Sequence, residues 1–144
     1  MPLELAQIRR RVQTQLADVK RAAATRRERT AAAERAYETF LAQIATPMVD
    51  AVAQSLGAEG FACRVSTPGK TVRMVSERSN RTYLELRLDT SGSAPQVLVE
   101  VGRERGSRVL TDDRPIGNGA QIDTLTEEDV LAALMESLED LIER

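Results

Sequence analysis

LELAQIRRRVQTQLADVKRAAATRRERTAAAERAYETFLAQIA, residues 3–45, contains neither glycine nor proline. The first glycine is Gly57, and the flanking prolines are Pro2 and Pro47. With no strong breaker inside it, the stretch reads as one long helix. A helix of that length would run about 65 Å, against about 25 Å for the width of a small sheet. A single domain cannot cover it, so part of the helix is expected to seek a partner.

The apolar residues of this helix change character twice. Leu5, Ile8, Val12, Leu16 and Val19 recur at three- and four-residue spacings and form an aliphatic stripe. From Ala22 to Ala36 there is no large apolar side chain, only Ala, Thr, Arg and Glu, with Arg26, Arg27 and Arg29 near the middle. This spacer is strongly helical but poor at burial. Tyr37, Phe40, Leu41, Ile44, Met48, Val49, Val52 and Leu56 then supply a second, bulkier stripe. Thr46-Pro47 interrupts it in one of two ways. Either Thr46 caps a separate short helix ending at Gly57, or one continuous helix kinks there.

After Gly57 the period changes to two. Phe61, Cys63 and Val65 alternate, then Val72 and Met74, then Leu84, Leu86 and Leu88, then Val97, Val99 and Val101, with a weaker last strand at Arg108 to Thr111. Turn chemistry lies between them at Thr67-Pro68-Gly69-Lys70, Ser79-Asn80-Arg81, Thr90-Ser91-Gly92-Ser93 and Arg103-Glu104-Arg105-Gly106. Such short connections imply an antiparallel meander, because parallel neighbours need longer crossovers. The alternate residues Glu85, Arg87, Asp89, Gln96 and Glu100 are polar, so one face takes the helices and the other stays wet.

The chain closes on a well-signalled helix. Thr126 and Asp129 form a capping box, and Leu125 and Val130 a hydrophobic staple. Glu127, Glu128 and Asp129 suit the positive end of its dipole. Val130, Leu131, Leu134, Met135, Leu138, Leu141 and Ile142 make a broad apolar stripe read as buried. The expected class is therefore α+β: a long N-terminal helix, an antiparallel β-meander of four or five strands, and an amphipathic C-terminal helix. Residues 1–30 are expected to form a projecting helical arm for association. Residues 31–144 form a single body, with helix 31–57, sheet 60–113 and C-terminal helix 126–143.

Composition bounds the rest. The chain's 144 residues fit one domain, and 42% apolar with 29% charged residues is globular rather than disordered. No run approaches eighteen apolar residues, and the start lacks the basic-then-apolar layout of a signal peptide. A cytoplasmic protein is expected, with no membrane contact. The single Cys63 agrees with a reducing compartment. Eighteen Arg against two Lys is read as genomic composition rather than phosphate binding. The net charge of −2 conceals polarity. Residues 1–30 hold eight basic and three acidic residues, net +5, while residues 121–144 hold one Arg and eight acids, net −7.

Resources for catalysis are thin. No histidine is present, which removes the usual general base near neutral pH and the commonest transition-metal ligand. Thr67-Pro68-Gly69-Lys70-Thr71 looks like the end of a phosphate-binding loop, but Arg64 stands where a glycine is required and a strand follows. Asp89-Thr90-Ser91-Gly92 resembles a protease loop with its glycine displaced and no second copy. Cys63 reads as a buried, inert thiol, and Asp112 and Asp113 as a solvated loop near the last turn rather than a cation site. No enzyme activity, cofactor, metal or small-molecule substrate is inferred.

The expectation is a non-catalytic adaptor or assembly subunit. Leu5, Ile8, Val12, Leu16 and Val19 would bind a protein partner or a second copy, a homo-oligomer being the simplest case. One alternative lays Arg9, Arg10, Arg11, Lys20, Arg21, Arg26, Arg27 and Arg29 along a nucleic-acid backbone. Against it stand a pI near 5.3 and only two Tyr and two Phe for base stacking. A small chaperone for a secreted or unstable client is a further alternative, on fold-level analogy alone.

Overall fold

The computed structural model describes residues 2–142. The chain divides into two compact units between Ala32 and Ala33.

The first unit is helical. Helix α1 runs Leu5–Phe40 and so crosses the boundary between the units. At its start the Glu4 backbone N–H donates to Gln7 Oε1 at 3.0 Å, half of a capping box that satisfies one otherwise orphaned donor.

The second unit begins inside α1 and continues without a break. A π-helical turn, Leu41–Ala45, leads into α2, Thr46–Ala58. Ala45 and Thr46 keep right-handed helical dihedrals, and no side chain caps α2. The expected cap at Thr46 is therefore absent, and the continuous alternative holds. Proline explains the turn: Pro47 has no N–H to donate, and its ring would clash with the carbonyl four residues back in regular α geometry. The Thr46 N–H instead reaches back five residues to the Leu41 carbonyl. That wider loop relieves the clash at the cost of one extra residue per turn.

Five strands follow: β1 Cys63–Ser66, β2 Val72–Ser76, β3 Ser79–Asp89, β4 Gln96–Arg105 and β5 Arg108–Pro115. They form one antiparallel meander in sequence order. Two expected turns lie inside strands. The β2–β3 turn falls at Glu77-Arg78, with Ser79-Asn80-Arg81 already in β3, and β4 extends through Arg103-Glu104-Arg105 to a turn at Gly106-Ser107. Asp112 and Asp113 are not loop residues either, since β5 runs on to Pro115.

The inner face of the sheet carries Val65, Val72, Met74, Leu84, Leu86, Leu88, Val97, Val99 and Val101. Against it pack Tyr37, Phe40, Ala45, Val49, Val52, Ala53 and Leu56, together with Val130, Leu134 and Leu141 of α3, Glu127–Ile142. The Tyr37 hydroxyl, in the core, donates to the Leu86 carbonyl at 3.2 Å. Desolvation, with a smaller contribution from Glu85, pushes that phenol far above its ordinary value.

The start of α3 is built as its sequence implies. The Thr126 N–H donates to Asp129 Oδ2 at 2.9 Å, the Asp129 N–H donates to Thr126 Oγ1 at 3.2 Å, and Leu125 and Val130 are both buried. Its far end is held from outside. No basic residue occupies the last turn of α3. Arg114 of β5 supplies one, 3.1 Å from Asp140 and 3.5 Å from the Glu136 carbonyl. One expectation fails on this helix: Met135 and Ile142 are 44% and 36% exposed, outside the core they were read into. Seven apolar residues span a wider arc than one sheet can cover.

Candidate association surface

In a regular helix, residues three and four apart share a face, whereas neighbours in sequence point about 100° apart. Leu5, Ile8, Val12, Leu16 and Val19 keep the first spacing and so form one continuous strip. They are 71%, 43%, 51%, 52% and 51% exposed. Leu3, which the sequence reading did not include, is exposed at the same end. The eight basic residues from Arg9 to Arg29 are exposed as well. Arg9, Arg10 and Arg11 are consecutive, as are Lys20-Arg21 and Arg26-Arg27, so their charges spread around the helix rather than gathering along one line. Among the described residues, one ion pair forms within this set, Arg21 to Asp18 at 3.3 Å. It is solvent-exposed and worth little.

The outer face of the sheet is less open than its polar pattern suggests. Arg73 Nε lies 2.7 Å from Glu85 Oε2, with its guanidinium 4.2 Å above the Tyr83 ring. The Tyr83 hydroxyl donates to Glu100 Oε2 at 2.8 Å. Burial, then that hydrogen bond, pushes the phenol up to about 12. Arg87 pairs with Asp113 at 3.0 Å. The ring of Tyr83 lies across Gly102 on β4, where any Cβ would overlap it. Sequence reasoning missed Tyr83. The signal was available in Gly102, a residue that weakens a strand unless something approaches closely.

The residues weighed as catalytic are separate from one another. Cys63 is half-buried rather than fully buried as expected, and desolvation, then Glu77, raises its thiol above the ordinary value, which favours the protonated form. Asp89 accepts hydrogen bonds from the Ser91 hydroxyl and backbone, at 2.6 and 3.0 Å, which lower its pKa and close the turn expected there. Asp112 pairs with Arg114 at 3.1 Å. Among the described residues, no group of three or more His, Cys, Asp or Glu is placed to hold a metal ion.

A groove of about 540 Å³ lies beside the Gly69-Lys70-Thr71 turn. Tyr37, Leu41 and Leu88 supply its apolar lining, and Glu34, Glu38, Lys70 and Arg87 its charges. Two carboxylates offset two cations, and Arg87 is already engaged by Asp113, so the groove has no bias toward an anion such as phosphate. No helix among the described residues is long and apolar enough to cross a membrane.

Compared with protein-family models, curated proteins and solved structures, the chain matches none.

Proposed function

We propose that the chain is a non-catalytic adaptor or assembly subunit that joins a protein partner, or a second copy of itself, through the aliphatic strip of its N-terminal helix. One observation carries this reading: five regularly spaced aliphatic side chains from Leu5 to Val19, each at least 43% exposed. Burying a side chain of this kind contributes about 1.5–3 kcal/mol before the costs of association. An apolar strip of this length left in water is a marker of contact.

The competing nucleic-acid reading is supported by the exposure of the arginines and weakened by their spread around the helix. The half-buried, protonated Cys63 fits a reducing compartment, and the proposal takes the protein to act in the cytoplasm. Co-purification from the native host, with and without nuclease, tests the reading. A protein or second copy retained after nuclease treatment, and lost in Ile8→Asp/Val12→Asp, supports it. Retention that vanishes with nuclease contradicts it.

A further inference from the structure

The other end of the chain offers a partner for this helix, an inference that rests on the association reading above. On α3, Met135 and Ile142 are exposed, and Leu131 and Leu138 are half-buried beside them. Together they leave an apolar seam along one flank of the helix, beside its core-facing side. The exposed Glu128 and Glu139 run along one edge of that seam. We propose that the N-terminal helix of one copy lies antiparallel along this seam of a second copy, and that the second returns the contact, closing a twofold dimer.

Charge selects the occupant. Within the aligned segments, residues 5–20 hold four basic residues and one acid, net +3, and residues 128–142 hold five acids and no basic residue, net −5, so pairing two N-terminal helices would set like charge against like, whereas N-terminal helix on α3 joins opposite charges.

Geometry selects the direction. Lys20 lies eleven positions after Arg9, and Glu139 eleven positions after Glu128. On a helix that is about 16 Å of rise and, after three turns, a return to within about 20° of the starting direction. Each pair therefore lines one edge of its own apolar seam. Going round each helix in the same sense from the seam's centre, both edges fall on the same side. When two helices face each other, equivalent edges lie side by side only if the helices run antiparallel.

That direction sets Lys20 opposite Glu128 and Arg9 opposite Glu139. In the same register the apolar side chains interdigitate. Ile142 falls between Leu5 and Ile8, Leu138 between Ile8 and Val12, Met135 between Val12 and Leu16, and Leu131 between Leu16 and Val19. Charge pairs and apolar steps thus agree on one alignment.

Sedimentation velocity over a concentration series tests it, on the full chain and two surface variants, Glu128→Lys/Glu139→Lys and Arg9→Glu/Lys20→Glu. Circular dichroism checks that each variant keeps its fold. The wild type is expected at twice the chain mass and each variant at the single-chain mass. An equimolar mixture of the two variants is expected to regain the double mass, because both contacts of that mixed dimer again join opposite charges. Variants that remain dimeric, or fail to recover on mixing, overturn the α3 contact. In that case Ile8→Asp/Val12→Asp shows separately whether association through the strip survives. A wild type that is monomeric at every concentration overturns the exchanged dimer, and the co-purification above then decides the association reading by itself.

Discussion

The Tyr37 hydroxyl donates to the Leu86 carbonyl at 3.2 Å, tying the last turns of α1 to a central strand of the sheet. Both residues are buried, Leu86 completely. Tyr37→Phe removes the bond but keeps the ring, so the expected loss is about 0.5–1.5 kcal/mol. Tyr37→Ala also empties the site and should cost about 3–5 kcal/mol. Urea unfolding of both variants, read at constant slope, measures the difference.

Gly102 and Tyr83 should behave as a coupled pair. Gly102→Ala forces a Cβ into the Tyr83 ring, at an expected cost of about 1–3 kcal/mol. Combining it with Tyr83→Ser should recover part of that cost, because the obstructing ring is gone. A double-mutant cycle with additive losses would show that the ring moves aside freely.

Tyr83 also sets a dependence at alkaline pH. Its folded pKa is raised from 10.0 to about 12, by burial and then by the hydrogen bond to Glu100. A raised pKa means the unfolded chain loses this proton first. The contribution is full below about pH 10 and is lost as pH rises toward about 12. Denaturation midpoints followed across that window should fall, and Glu100→Gln should shift the phenol's absorbance titration to lower pH.

Arg114→Met should loosen the end of α3. The guanidinium faces Asp140, Asp112 and the Glu136 carbonyl, but its side chain is 37% exposed, so the expected loss is about 0.5–1 kcal/mol. Amide exchange should quicken in the last turns of α3 and leave its capped first turn unchanged.

Much of this architecture was readable from periodicity. Leu84, Leu86 and Leu88 against Val97, Val99 and Val101 fixed the central hairpin, because burial of one face permits only one alternation. The capping box at Thr126 and Asp129 is equally local, and both of its hydrogen bonds form. The turns were harder. Ser79-Asn80-Arg81 has the composition of a turn, but it opens β3, where Ser79 pairs with Ser76 of β2 and its hydroxyl bonds to Glu104 of β4. Asp113 looked like a loop residue because Arg87, which holds it, is a neighbour only once β3, β4 and β5 are aligned, and Asp112 because its pairing with Arg114, two residues on, needs β5 to be extended. The π turn before Pro47 has no sequence signature beyond the proline itself. The aliphatic strip, as a surface, follows directly from its spacing, whereas the exposed seam on α3 emerges only when the sheet's limited cover is known.

Light scattering on the protein purified from its native host tests the central claim most directly, comparing Ile8→Asp/Val12→Asp with Arg26→Glu/Arg27→Glu/Arg29→Glu. The account predicts that the first variant falls to the mass of a single chain while the second keeps the wild-type assembly, since the spacer has no large apolar side chain to bury. The reverse ranking, with an assembly that survives two aspartates in the strip but dissolves on charge reversal, would contradict it.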